Sequence, residues 1–286
     1  MAKKPFKEPF LLRFTRWIFP KLERVAPFLA VRLFTQLFFT PLHFGFPVKE
    51  KAWVKTSKQS EISIQGKKIK VYEWGDEKNP AIVFVHGWAG RGTQFRKFFE
   101  PFMQGGYRII AFDGPAHGKS EGKQTTVIEF EEVVRHLWYR GDQPAGIIAH
   151  SFGGTVALYA AFKGLPIQKL VMIGTPVIGD LVIKGFLKAV NGSEKTGVEF
   201  RKRLKEKYGR SFEEFSAEHL LPRLPEPIDL MVIHDRDDKE SPIRHAEEAI
   251  RLYPEAALLR TAGLGHNRIL RDASVIDACL RFMKRI

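Results

Sequence analysis

One cysteine, Cys279, is all the thiol chemistry this 286-residue chain possesses. No internal disulfide can form, so nothing calls for an oxidising compartment. In "VIDACLRFM" the thiol falls at helical spacing and reads as core filling. Long apolar runs are also missing. Arg13, Arg16, Arg24 and Arg32 interrupt every candidate near the N-terminus, and none reaches the roughly 20 uncharged residues of a spanning helix. No small-residue cleavage site follows, which excludes a secretory signal. The 9 histidines and the lone cysteine show no metal-ligand spacing. The glycines of "GWAGRG" lack the lysine of a nucleotide-phosphate loop. No cofactor and no metal are expected. A cytoplasmic protein is, with the inner face of a membrane as a second place.

Acidic residues are scarce in one region only. Residues 1–58 hold 12 Lys/Arg against 3 Asp/Glu, which is +9 of the net +14. The rest of the chain is close to balanced. A charge of this size raises nucleic acid as a partner. The basic residues, however, are interleaved with phenylalanine, and no reading motif is present, so nucleic acid is not expected.

What the leader has in abundance is aromatic surface. Of 24 Phe, 10 precede Lys49. Phe10, Phe14, Trp17 and Ile18 recur at helical spacing, Pro20 and Pro27 are expected to break the segment, and a second helix is expected from Pro27 to Thr40. Two uses remain open. The helices can cover an apolar groove of the main domain, or residues 1–48 can lie on an anionic membrane surface.

From Glu61 the pattern turns to strands. "EISIQGKKIKVYEWG" alternates around Gln65-Gly66-Lys67 and reads as a hairpin. "AIVFVHGW", "YRIIAFDG", "AGIIAHS", "KLVMIGTP", "IDLMVIHD" and "AALLRTAG" are apolar runs of strand length. Amphipathic helical patterns separate most of them. Alternation of strand and helix predicts an α/β fold, a mostly parallel twisted sheet with helices on both faces. About fifty residues between Pro176 and Pro227 exceed a crossover and read as a helical lid insertion. The expected division is a basic helical leader over 1–58, a core over 59–176 and 227–286, and a lid over 177–226.

The sharpest local signal is "IIAHSFGG". An apolar strand ends at Ser151 and an Ala/Gly-rich helix follows. A serine on so tight a strand-to-helix turn projects its hydroxyl from the sheet's carboxyl edge. Small residues are needed two before and two after it, here Ala149 and Gly153. Glycine is usual at both places, so Ala149 is a departure. The helix start offers free backbone N–H groups to an oxyanion.

With "HGWAGRGTQF", "FDGPAHGKS", "AHSFGG", "IHDRDD" and "GLGHNRIL" in that order, residues 60–286 resemble the α/β-hydrolase superfamily. The likeness is to serine-nucleophile bacterial members with a basic, Phe-rich leader. The resemblance implies the α/β-hydrolase fold and a triad in the order serine, acid, histidine. Ser151 matches the nucleophile and His266 the base. Asp238 matches the acid, with Asp237 as the alternative and Asp235 as a turn cap. The backbone N–H groups of Trp88 and Phe152 match the oxyanion hole. His86 and His117 match structural positions, Asp113 a turn-former, and His150 is expected to point away from the site. The implied activity is hydrolysis of a carboxylic ester or thioester with an apolar acyl group, the partner being a small-molecule or lipid-like ester. The competing expectation is a catalytically silent binding protein on the same fold, docked to membrane by its leader.

Overall fold

The computed structural model describes residues 10–141 and 143–285; Phe6 of the leader lies outside them. The strands are β1 (Lys58–Ile64), β2 (Lys67–Trp74), β3 (Ala81–Val85), β4 (Arg108–Phe112), β5 (Gly146–His150), β6 (Lys169–Ile173), β7 (Asp229–Asp235) and β8 (Ala257–Thr261). The helices are α1 (Phe10–Val25), α2 (Pro27–Phe38), α3 (Val48–Thr56), α4 (Arg96–Gln104), α5 (Val127–Tyr139), α6 (Phe152–Phe162), α7 (Gly179–Val190), α8 (Glu194–Tyr208), α9 (Ala217–Leu220), α10 (Arg244–Leu252), α11 (Gly265–Arg268) and α12 (Ala273–Met283). The chain divides into two compact units: one joins the leader up to Phe39 with Gly179–Glu214, and the other holds Thr40–Ile178 and Phe215–Ile286. These boundaries differ from those expected. Residues 40–58 belong with the sheet, and so do residues 215–226.

The larger unit is a mostly parallel eight-stranded sheet with helices on both faces. Its sheet runs β1-β2-β4-β3-β5-β6-β7-β8. The hairpin β1–β2 and the β2–β4 pair are antiparallel, and every pair from β4 through β8 is parallel. Gln65 (φ 48°) and Gly66 (φ 76°) make the hairpin turn, whose left-handed residues match strand twist. Side-chain alternation assigns the two faces. Val83, Val85, Ile147 and Ala149 point to one core with Phe130, Trp138 and Val156 of α5 and α6. Ile82, Phe84 and Ile148 point to the other, with Phe98, Phe102, Val275 and Cys279 of α4 and α12. Continuous apolar strands therefore mark burial on both faces. Cys279 is fully buried, and burial pushes its thiol pKa up, away from reactivity.

The smaller unit packs α1 and α2 on α7 and α8. Its centre is Phe19, Phe34, Phe38, Ile183, Leu187, Phe200 and Leu204. Phe34 meets Phe200 edge to face at 5.1 Å, and Phe38 meets Phe186 at 4.5 Å. Glu23, the one acid among residues 10–39, accepts from Ser193 N (2.8 Å) and Thr196 Oγ1 (2.5 Å) at the N-terminus of α8, where a carboxylate meets the helix dipole.

Pro20 does not break α1 as expected; the helix runs through it. Proline at 20 removes the donor owed to the carbonyl of Arg16. Asn191 Nδ2 supplies a replacement at 3.3 Å, and Arg16 Nε in turn reaches the carbonyl of Ala189 at 2.8 Å.

Candidate active site

Ser151 joins β5 to α6 with φ 52° and ψ −124°. A non-glycine residue there carries strain on the order of 1–3 kcal/mol. What enforces it is the space around the turn. A Cβ at Gly153 would stand 2.3 Å from Val85 O, and one at Gly87 would stand 2.9 Å from Ser151 Cβ. Ala149 is the looser position: it is fully buried, in register with Val85 and Met172, and its methyl joins the core. The departure at 149 is therefore absorbed by packing.

His266 follows β8 on a loop turned by Gly263 (φ 76°) and Gly265 (φ 64°). Its Nδ1 lies 2.6 Å from Asp238 Oδ2. The other oxygen of Asp238 accepts from Glu240 N and Ser241 N, both at 2.9 Å. Burial works to raise the Asp238 pKa, but the His266 bond and charge and these two backbone donors hold it below the ordinary carboxylate value. Asp237 is exposed and accepts instead from Gly263 N at 2.7 Å. Asp235 accepts from Thr261 Oγ1 (2.7 Å) and Leu264 N (3.0 Å). Three neighbouring aspartates thus split the work: two shape the loop that carries His266, and one meets its ring.

Ser151 N donates to Ile173 O at 2.8 Å. A Cβ on the next residue, Gly174, would lie 3.3 Å from His266 Nδ1 and 3.6 Å from Asp238 Oδ2. The serine, the imidazole and the carboxylate therefore flank one strand end. No hydrogen bond joins Ser151 Oγ to the imidazole among the described residues. Catalytic hydrogen bonds are often long before substrate binds.

Trp88 and Phe152 also come together, their rings edge to face at 5.3 Å. Neither of their backbone N–H groups donates to a protein acceptor among the described residues. The Trp88 loop is pinned by two histidines. His86 Nδ1–H donates to Gly87 O and its Nε2 accepts from Gly114 N, both at 2.8 Å. His117 Nε2 accepts from Ala89 N at 3.0 Å while Nδ1–H donates to Pro115 O at 2.9 Å. Burial drives the His86 pKa well below its ordinary value and that of His117 down to about 4, so both stay neutral and keep one fixed tautomer. Asp113 is buried beneath the same loop. It accepts from Gly92 N (2.9 Å), Lys119 N (2.9 Å) and Tyr72 Oη (2.8 Å), as a turn-former does.

Sequence reasoning missed three residues. His150 does not point away: its Nε2 lies 2.9 Å from His266 O. Gln94 Nε2 lies 3.1 Å from His150 Nδ1. Glu50, read as part of the leader, is buried and accepts from Thr93 Oγ1 at 3.0 Å. It also pairs with Arg91 at 3.3 Å and Arg96 at 3.4 Å. The available signal for Glu50 was one acid in a basic stretch, a residue type that stays buried only when paired.

A sequence profile of the alpha/beta hydrolase family matches residues 82–278, and the chain belongs to that family. Among individual proteins it is similar to a serine hydrolase-like protein of Homo sapiens, 29% identical over 120 residues, 38% of this chain and 56% of that one. It is also 32% identical over 107 residues to a bifunctional esterase/perhydrolase of Acinetobacter calcoaceticus, covering 35% of this chain and 38% of the other. The chain thus spans about a third to somewhat over half of such relatives. Among solved structures, an esterase of Pyrococcus furiosus superposes with a TM-score of 0.65 at 20% identity, over 86% of this chain and 97% of that one. A bacterial membrane phospholipase A superposes with a TM-score of 0.62 at 16% identity, over 96% and 97%. Those two likenesses establish the fold.

Proposed function

We propose that this protein is a serine hydrolase that cleaves a carboxylic ester or thioester with an apolar acyl group. The observation that carries the reading is the 2.6 Å contact between His266 Nδ1 and buried Asp238, made at the sheet edge where Ser151 is held in a strained turn. Asp238 keeps Nδ1 protonated and leaves the Nε2 lone pair free to act as base. Ser151 Oγ attacks the substrate carbonyl as Nε2 takes its proton. The carbonyl oxygen gains the negative charge, and the amides of Trp88 and Phe152 receive it. Collapse breaks the bond to the leaving group, which takes the proton from Nε2. Water then repeats the sequence on the acyl-enzyme and frees Ser151. The indole and phenyl flanking the amides favour an apolar acyl group. Esterase names among the relatives support the same chemistry.

The test is turnover of p-nitrophenyl esters of rising acyl length, beside the matching thioesters. Activity that rises with chain length and vanishes in Ser151→Ala supports the reading. No turnover of any ester by the folded wild type contradicts it.

The helical unit supports a second, compatible proposal: an anionic bilayer surface as partner. Residues 10–39 and 179–214 carry 14 Lys/Arg against 7 Asp/Glu, half the net charge of the chain. With Phe19 and Phe34 used in packing, Trp17 (59%), Val25 (83%) and Phe28 (67%) remain exposed, and Lys21 Nζ sits 3.3 Å over the Trp17 ring. Exposed aromatic groups beside basic ones, as at Trp17 and Lys21, suit the lipid headgroup region. No helix among the described residues is long and apolar enough to cross a membrane. Trp17→Ser with Phe28→Ser is expected to abolish cosedimentation with phosphatidylglycerol vesicles at low salt. Equal binding by wild type and variant contradicts the proposal.

A further inference from the structure

We propose that His150, the residue before the nucleophile, is a positioning residue for His266, with Gln94 fixing its tautomer. The inference rests on the reading of His266 as the base. It comes from the hydrogen-bond order. The carbonyl of His266 can only accept, so the nitrogen 2.9 Å from it, His150 Nε2, carries a proton and donates. In the neutral ring Nδ1 is then an acceptor, and the Gln94 amide 3.1 Å away donates to it. The chain Gln94, His150, His266 carbonyl matches donor to acceptor at each step. No other arrangement of a neutral His150 satisfies both neighbours.

The base needs such an anchor. His266 lies in a helix of four residues that follows two glycine turns, which supplies little stiffness of its own. Asp238 fixes the ring at Nδ1; His150 fixes the backbone from which the ring projects. Because His150 adjoins Ser151, the anchor ties the base directly to the nucleophile's turn. Gln94 stands on a short turn whose neighbours Thr93 and Arg96 both bond buried Glu50.

The ring of His150 must also remain uncharged. It is 4.7 Å from that of His266, which becomes a cation during acyl transfer, and a second cation there would oppose it. Burial holds the His150 pKa down to about 3; the titratable groups that face it are His266, Asp238 and His234.

The experiment compares His150→Phe, His150→Gln and Gln94→Leu in the full-length chain, with kcat and KM on a short p-nitrophenyl ester. Displacing a base by about 1 Å costs on the order of 10²-fold in rate. His150→Phe keeps a ring but donates nothing, and is expected to lose roughly that factor in kcat at unchanged KM. His150→Gln places an N–H near the same carbonyl and is expected to recover most of it; Gln94→Leu is expected to lose about 10-fold. Wild-type kcat in folded His150→Phe or Gln94→Leu overturns the proposal, as does a His150→Gln no better than His150→Phe. If His150→Phe does not fold, Gln94→Leu decides. Nitrogen-15 NMR of the imidazoles gives an answer independent of turnover. A neutral Nε2–H form of His150 from pH 5 to 8 supports the proposal, and an Nδ1–H or protonated form overturns it. A wild type that turns over no ester while His150 shows the Nε2–H form sinks the hydrolase reading alone.

Discussion

The two compact units are built from different materials. The sheet unit is organised by directional polar bonds: five histidines, His86, His117, His150, His234 and His245, are buried in it, and four of them donate to or accept from backbone groups at loop ends around the candidate site. His245 accepts from Val177 N and Ile178 N at 3.0 and 3.1 Å, where the insertion leaves the sheet. The helical unit contains no histidine among its described residues and is held by phenylalanine. Placing a nucleophile, a base and an oxyanion site within fractions of an ångström needs fixed hydrogen bonds. Holding four helices rests mainly on apolar volume that fits, with Glu23, Arg16 and Asn191 adding polar bonds at the helix ends.

Acid should separate the units most strongly. Burial lowers the folded-state pKa of His117 and His245 to about 4 and of His150 to about 3. These rings are neutral when folded and take up protons when unfolded below about pH 6.5. Their contribution is complete above that pH and is lost as pH falls toward the folded values. Each removes stability as pH falls through its own window, so the three together remove roughly a few kcal/mol between about pH 6 and 4. Asp238, whose folded pKa is depressed, contributes above the unfolded carboxylate pKa and is lost as pH falls through its folded value. Hydrogen exchange at pH 7 and pH 5 should show α5 and α6 losing protection steeply while α2 and α8 change little. Equal losses in both units would erase the contrast.

Phe34→Ala probes the other material. Phe34 is 1% exposed and packs on Phe19, Phe38 and Phe200. Truncation should cost about 3–5 kcal/mol, read as lost exchange protection in α1, α2, α7 and α8. A loss below about 1 kcal/mol would mean that the aromatic cluster does not hold the unit.

The smallest effect runs in the opposite direction. Glycine tolerates the φ of 52° at Ser151, so Ser151→Gly should raise stability by about 1 kcal/mol while removing activity. A lower melting temperature would show that the turn is not strained.

Much of this was legible in the sequence, for identifiable reasons. The central strands stood out because runs buried on both faces leave no polar interruption, as in "AIVFVHGW" and "IDLMVIHD", whereas β1 and β2 showed as an alternating hairpin. Ser151 was singled out because it sits just past such a run, and Asp238 and His266 because the resemblance placed them on the loops after β7 and β8. What sequence could not show was replacement. Asn191 takes over the donor that Pro20 removes, and the two lie 171 positions apart. Glu50 and Gln94 were hidden for the same reason: each finds its partner across the fold, not along the chain. Helix α3 escaped because "VKEKAWVKT" carries too few apolar residues for a clear helical stripe.

The central claim is that Ser151 is a nucleophile activated by His266 and oriented through Asp238. Treatment of the folded protein with a fluorophosphonate, followed by peptide mass spectrometry, tests it directly. The account predicts one phosphonyl adduct, on Ser151, formed rapidly in the wild type and at least 10²-fold more slowly in His266→Ala and Asp238→Asn. An unlabelled Ser151 in the folded wild type, or labelling at the same rate without His266, would contradict it.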